Sequence, residues 1–309
     1  MSYSMKCYYA VGEFLRDYRA LYSLSQENFS EQIDVNLKTF QRYERNEHPI
    51  PPHILIKIAK KTFLSTHILK SLNTGLPIFC SIRKRIWAST QVEMNSFFYI
   101  DDLAPQPPKD ESPTMRFAEL MDTEFIHDLI TSHLINLPGY GLSQIETVRR
   151  AAQMVPEMNF IVYDEFNVPI GHQICLPLSP HTYSMLKSGQ ITEQMLRPEN
   201  LFDVPVIKIG AFFCTAEFAA CRAVQHNIVL RIMRYLSTYG NNNKLLLSVQ
   251  IMVPEGHEIV EKIGLKLVLE NQRQHMVSDL TDRSPAIYET DIKTLMDNLM
   301  KLQVRKFNL

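Results

Sequence analysis

The sequence is poor in the features that would mark it for a specialised environment. Its 309 residues hold five cysteines, Cys7, Cys80, Cys175, Cys214 and Cys221, odd in number and with no CxxC pair. That scatter argues against a disulfide framework and a zinc site, and for a reducing cytoplasm. Charge of one sign is lacking as well: 32 Lys and Arg against 33 Asp and Glu leave a net charge of −1. Any affinity for nucleic acid must then come from a local face. No apolar run reaches the roughly 18 residues that a membrane span needs, and no signal peptide opens the chain. Internal repeats and low-complexity tracts are missing, and Trp87 is the one tryptophan. What the chain does have is apolar mass, 45% of its residues. Its length suggests about two domains.

Residues 24–46, LSQENFSEQIDVNLKTFQRYERN, carry the clearest pattern. Two short amphipathic runs meet at a tight break, Asp34-Val35. The first opens on Ser25, whose hydroxyl can accept a bond from a free first-turn amide. It keeps Phe29 and Ile33 on one side at i, i+4. The second opens on Asn36 and turns Phe40 and Tyr43 inward, leaving Leu37, Lys38, Gln41, Arg42 and Arg45 on other faces. Amide and cationic side chains presented outward by a helix suit base edges and phosphates in a major groove.

Residues 10–62 closely resemble the phage-repressor class of helix-turn-helix domain (Cro and lambda repressor, XRE-type). The matching segments are LRDYR at 15–19, LSQENFSEQI at 24–33, VNLKTFQRYERN at 35–46 and PPHILIKIAKKT at 51–62. The resemblance implies that Gln26 caps the scanning helix and touches phosphate, and that Arg19 pairs internally with Glu44. It implies a DNA-reading surface of Asn36, Leu37, Lys38, Thr39 and Arg42, with Arg45 beside it. Ser23 and Asn46 stand where the family often has Gly; Asn tolerates the left-handed conformation that a helix end needs. A fifth helix, capped by Ser65, is expected over 63–71. An aromatic stretch, 76–100, follows, read either as a dimerisation segment or as a packed connector covering the bundle. Residues 101–114, with four prolines and several acids, read as a linker. The boundaries are thus 1–74 for the all-α DNA-binding unit, 75–114 for connector and linker, and 115–309 for a second domain.

That second domain reads as mixed α/β. A strand is expected at MRFAEL, helices near 122–130 and 143–154, and a hairpin over 159–179 turning at Glu165-Phe166-Asn167. A polar insertion precedes a strand PVIKIGAFFCT, and then come a helix over 217–239 and a strand KLLLSVQIMV. The helix GHEIVEKIG, the strand LKLVLENQ and a closing helix from IYETD onward complete the order. It resembles the GCN5-related N-acetyltransferase (GNAT) fold over roughly 115–290, best at the hairpin and at IVEKIGLKLV. The LKSGQIT insertion is similar to one found in some bacterial members. Active members of that family bind the acetyl-CoA pyrophosphate on backbone amides at a helix N-terminus, through R/Q-x-x-G-x-G/A. Here the positions fall on Ala219, Arg222 and Val224, or, shifted, on Arg222, Gln225 and Asn227; neither register holds a glycine. The strand PVIKIGAFFCT carries no acid. The later helix has Glu258 and Glu261 but no Tyr, so no catalytic residue is assigned. Cys214 beside Phe212 and Phe213 reads as a buried small hydrophobe. His172, His226 and His257 have no ligand spacing, and Asp164 and Glu165 suit a turn for backbone reasons.

The expected protein is a cytoplasmic, non-enzymatic, sequence-specific transcriptional regulator, a homodimer on a palindromic operator in double-stranded DNA. Its C-terminal domain would sense a small effector, acetyl-CoA or another acyl-CoA among the candidates, or serve oligomerisation. Two alternatives stand beside this one: a prophage or mobile-element repressor with a purely dimerising C-terminal domain, and an active N-acetyltransferase tethered to DNA.

Overall fold

Three capped helix starts organise the N-terminal third, in a computed structural model that describes residues 5–82, 86–88, 115–120, 144–251, 254–270 and 286–307. The helices are α1 (Val11–Leu21), α2 (Gln26–Gln32), α3 (Leu37–Glu44), α4 (Pro52–Thr62) and α5 (Thr66–Asn73). Ser25 Oγ accepts from the Asn28 amide at 3.0 Å, and Asn36 Oδ1 accepts from the Thr39 amide at 2.8 Å. Ser65 Oγ takes the His67 amide at 3.1 Å. Each such cap satisfies one of the free amides that a helix start exposes. The breaks are left-handed, at Ser23 (φ 52), Asp34 (φ 56) and Asn46 (φ 56). Asn46 does more than tolerate its φ: its Oδ1 accepts the Gly12 amide at 2.8 Å. Gly12 is required there, because a Cβ would stand 2.4 Å from the Glu44 carbonyl oxygen. Phe14, Leu15, Phe29, Phe40, Ile58 and Ile68 are fully buried between the helices.

Strand β1 (Lys6–Tyr8) precedes α1, where the sequence suggested no element. It pairs antiparallel with β2 (Ile78–Ser81), which pairs with β3 (Ile86–Ala88). The described parts of 76–100 thus hold two strands that form a sheet with the start of the same chain. The expected linker 101–114, the helix expected near 122–130 and the rest of 76–100 lie outside the described residues.

The second unit contains β4 (Arg116–Glu119), α6 (Ile145–Met154), β5 (Phe160–Tyr163), β6 (Pro169–Leu178), α7 (Pro180–Lys187) and a single turn α8 (Val204–Ile207). Then come β7 (Gly210–Ala219), α9 (Arg222–Ser237), β8 (Leu245–Ile251), α10 (Pro254–Lys262), β9 (Lys266–Glu270), β10 (Ala286–Asp291) and α11 (Ile292–Phe307). The seven strands lie in the order β4-β5-β6-β7-β8-β10-β9, and β7 with β8 is the parallel pair. Helices with a seven-stranded mixed sheet of this order are consistent with a GNAT-like α/β domain. Val224, Ile228, Ile232 and Leu236 form the buried stripe of α9. They join Phe212, Tyr288 and Leu295 in an apolar cluster that continues into the helical bundle through Trp87, Leu69 and Ile68. Ala151 of α6 and Tyr183 and Leu186 of α7 pack with Ala211 and Phe213 in a second cluster.

Three expectations are corrected. Residues 204–207 form a helical turn instead of the start of β7, because Pro205 cannot donate to a ladder; Lys208 (φ 58) ends the turn. The strand β7 runs on to Ala219, and α9 starts at Arg222, five residues after the expected helix start. The segment AIYETD is the strand β10 and not the start of the closing helix. It slots between β8 and β9, where a ladder on both edges and burial of Ala286, Ile287 and Tyr288 favour extended backbone.

Candidate functional site

Two places carry candidate side chains: the outer face of α2 and α3, and the region where β7 leaves β8. On the first, Arg19 donates Nε to Glu44 Oε1 at 2.7 Å and Nη2 to Oε2 at 3.1 Å, with Nη1 on the Leu24 carbonyl at 2.8 Å. Glu44 is 2% exposed. Two parallel N–H···O bonds of this kind fix the angle between α1 and α3 as well as their distance. Gln26 is turned inward by the same carboxylate: its Nε2 reaches Glu44 Oε2 at 2.5 Å, and its Oε1 accepts from Gln41 Nε2 at 3.1 Å. The side chain expected to meet phosphate is thus held between α2 and α3. Asn36, Lys38, Arg42 and Arg45 are exposed, while Leu37, Thr39 and Gln41 are half-buried along the same helix. A residue that the sequence reading passed over, Glu47, accepts from Arg42 Nε at 3.3 Å and from Arg45 Nη1 at 2.9 Å. These pairs are solvent-exposed, so they are weak, but they neutralise two of the three outward cations.

In the second place, the pairing of β7 with β8 ends at Cys214↔Val249. Beyond that rung β7 stays on β6 as far as Ala219, and β8 stays on β10 as far as Ile251. The two central strands therefore part, and Glu217 lies on the parting stretch opposite Gln173. Its side chain is exposed, yet desolvation by the protein around it pushes the carboxyl up to about 7. Water reaches this carboxyl, while the protein packed around it disfavours its charged form. A carboxyl that titrates near neutrality can take or give a proton there. The sequence reading ended this strand at Thr215 and so found no acid on it; the β-period continued to Ala219 would have reached Glu217. Near it, Gln173 Oε1 and Thr215 Oγ1 are buried without a hydrogen-bond partner. Buried polar atoms seldom stay so, and these two leave hydrogen-bonding capacity where the strands part.

The positions proposed for acyl-CoA lie along the end of β7 and the first turns of α9. Ala219 is the last residue of β7, opposite Gly171. Ala220 gives its amide to the Ile170 carbonyl at 2.8 Å, and its own carbonyl accepts the Trp87 amide at 2.9 Å. Val224 is fully buried against Gly171, where an added Cβ would stand 2.7 Å from Val224 Cγ1. Gln225 and Asn227 lie in α9, the backbone amide of Gln225 on the Cys221 carbonyl at 3.0 Å and Asn227 Nδ2 on the Ala223 carbonyl at 2.8 Å. Arg222 opens the helix and is half-buried. A pyrophosphate needs open amides and room at the backbone; α9 starts without a side-chain cap, and no glycine stands there to give that room.

The other candidates resolve simply. Cys214 faces Cys175 across β6 and β7; both are buried, and burial first, then the neighbouring thiol, holds Cys175 well above the usual thiol range. Cys175 is no nucleophile by that measure. His172 packs its ring on Phe218 at 5.8 Å. Burial first, then the Arg222 charge, keeps the His226 imidazole below its usual range. His257 is buried with its Nδ1 2.9 Å from the Tyr288 hydroxyl, which donates to Glu261 Oε1 at 3.0 Å. Asp164 Oδ1 accepts the Phe166 and Val168 amides at 2.9 and 3.0 Å, the backbone role expected of a turn acid. Among the described residues no three His, Cys, Asp or Glu gather as for a metal, and no helix is long and apolar enough to cross a membrane.

No family model matches the chain, and no curated protein does. Solved structures similar to it include Arabidopsis thaliana Naa50 in complex with a CoA bisubstrate analogue, at 9% identity and a TM-score of 0.34, over 57% of this chain and 98% of that one. A second is Chaetomium thermophilum Naa20 with a bisubstrate analogue, at 14% and 0.36 over 60% and 89%. A third is a GNAT-family acetyltransferase from Listeria monocytogenes, at 10% and 0.33 over 58% and 94%. Likeness at these scores carries no argument about function; the assignment of the fold rests on the strand order.

Proposed function

We propose that the chain is a sequence-specific DNA-binding regulator whose five-helix unit reads a duplex and whose GNAT-like domain serves as a small-molecule sensor or an oligomerisation surface. The observation that carries this reading is the locked pair α2–α3. Caps at Ser25 and Asn36 start both helices, the Arg19–Glu44 fork fixes α3 against α1, and Asn36, Lys38, Arg42 and Arg45 stand outward. A rigid helix with amide and cationic groups outward suits a major groove, and two copies would match a palindromic operator. Selection of bound duplexes from a random pool tests this reading. Arg42→Ala is expected to cost about 1–3 kcal/mol on the selected duplex if it pairs with a base edge. An equal loss on every duplex assigns Arg42 to phosphate, and no duplex enriched above background removes the reading.

One observation supports the sensor half over oligomerisation alone. Glu217, Gln173 Oε1 and Thr215 Oγ1 offer two acceptors and a hydroxyl where β7 and β8 part. A small ligand with amine or hydroxyl donors is what they would take. Calorimetric titration with amines and with acyl-CoAs, beside an assay for released thiol, separates a sensor from an acetyltransferase. Thiol release that depends on Glu217 would favour the enzyme.

A further inference from the structure

The turn after β7 is where these residues depart furthest from a CoA-binding fold, and the chain itself supplies the reason. Ala220 and Cys221 are each 1% exposed, and the carbonyl of Ala220 is taken by the amide of Trp87 in β3. Trp87 is buried, and its ring stacks on His67 of α5 at 5.2 Å. The start of α5 is held from the other side by the β5–β6 hairpin. The Thr66 hydroxyl and amide both donate to Asp164 Oδ2, at 2.6 and 3.3 Å, so an acid of the sheet unit caps a helix of the bundle. One turn on, Lys70 pairs with Glu165 Oε1 at 3.1 Å and sits 3.8 Å over the ring of Phe166.

We propose that the turn at Ala219, Ala220 and Cys221 is occupied by the chain's own N-terminal unit: β3 and α5 seat on Ala220 and on the Asp164 hairpin as a clasp that excludes pyrophosphate-bearing ligands while closed. The clasp combines these hydrogen bonds and this ion pair with the apolar packing of Trp87, Ile68 and Leu69. Its opening returns Asp164 Oδ2 and the first amides of α5 to water, which compensates the polar part of the contact. This proposal stands whether or not the bundle binds DNA.

Trp87 is the chain's sole tryptophan, so its emission reads the clasp directly in the unlabelled full-length protein. Acrylamide quenching is expected to find it shielded in the unmodified chain. Thr66→Val and Asp164→Asn each remove a buried hydrogen bond of the clasp. They are expected to raise the open population roughly tenfold or more, read as a larger quenching constant with unchanged far-ultraviolet circular dichroism. Thr66→Val leaves the hairpin's own amide bonds intact, so it decides the matter if Asp164→Asn unfolds the hairpin. Millimolar acetyl-CoA is expected to leave the Trp87 emission of the unmodified chain unchanged. Three results would overturn the proposal: strong quenching of the unmodified chain, unchanged quenching in Thr66→Val, or a saturable shift of Trp87 emission with acetyl-CoA.

Discussion

Replacing Arg19 by alanine removes three hydrogen bonds at once, two to Glu44 and one to the Leu24 carbonyl. What remains matters more than what is lost. The Glu44 side chain is 3% exposed in the pair, and afterwards its carboxylate keeps the Gln26 amide as a side-chain donor but loses the guanidinium paired with it. Stranding a buried charge costs about 3–5 kcal/mol, against 0–1 kcal/mol for an exposed pair. Lys57–Asp34, with 39% and 92% of its side chains exposed, is the internal control. For a cooperative unit of 150–250 residues, the larger cost corresponds to a melting shift of roughly 6–20 °C, while Lys57→Ala should move melting by less than about 4 °C. Denaturant unfolding of both variants and of Arg19→Ala combined with Glu44→Gln measures the difference. The double variant should recover part of the loss, since a neutral amide is cheaper to leave in the site. An Arg19→Ala change no larger than that of Lys57→Ala would show that Glu44 re-solvates freely, and the account of α3 as a locked element would fail.

Further expectations follow from single contacts. Glu47→Ala frees Arg42 and Arg45 and should tighten duplex binding a few-fold at low salt; weaker binding in a mobility-shift titration would mean that Glu47 orders the pair instead of competing for it. Glu217 has a folded pKa of about 7, raised above the usual carboxylate value, so the folded state favours its protonated form. It therefore costs nothing below the unfolded pKa and destabilises progressively as pH rises towards 7. Glu217→Gln should raise the melting temperature more at pH 8 than at pH 4, and an equal shift at both would deny the desolvation. Gly171→Ala pushes a methyl against Val224 Cγ1 and the Phe218 carbonyl oxygen, 2.7 and 3.0 Å away. Overpacking of that kind costs about 1–3 kcal/mol, and unchanged denaturant stability would show that α9 can move aside.

Much of the N-terminal unit is legible because its signals are local. A cap and the amide it serves lie three residues apart, as Ser25 and Asn28 do, and Phe29 with Ile33 and Phe40 with Tyr43 repeat at helical spacing. The Arg19–Glu44 pair is long-range and was reachable through the family pattern alone. In the sheet unit, strands with strong β-composition such as β6 and β8 were found, while the segments that tertiary context decides were misread. AIYETD is a strand because β8 and β9 offer it two ladders, which no local pattern reports. Glu217 was overlooked for a similar reason: the strand beneath it persists past Thr215 because β6 continues to pair with it. Glu47 and the Trp87–Ala220 bond depend on geometry across turns and units, which spacing does not encode.

The place of β10 bears on how the molecule is made. Among the described strands, β9 pairs with β10 and with no other, and β10 is the last strand in sequence. On a ribosome, β8 would present an open edge and β9 would have nothing to pair with until residue 291 had emerged. Apolar segments 245–251 and 266–270 would wait unpaired through that interval, the circumstance in which a strand edge recruits another chain. A stop before residue 286 would thus delete one strand and orphan a second. Such a truncated chain is expected to aggregate, even though everything upstream of the stop is intact.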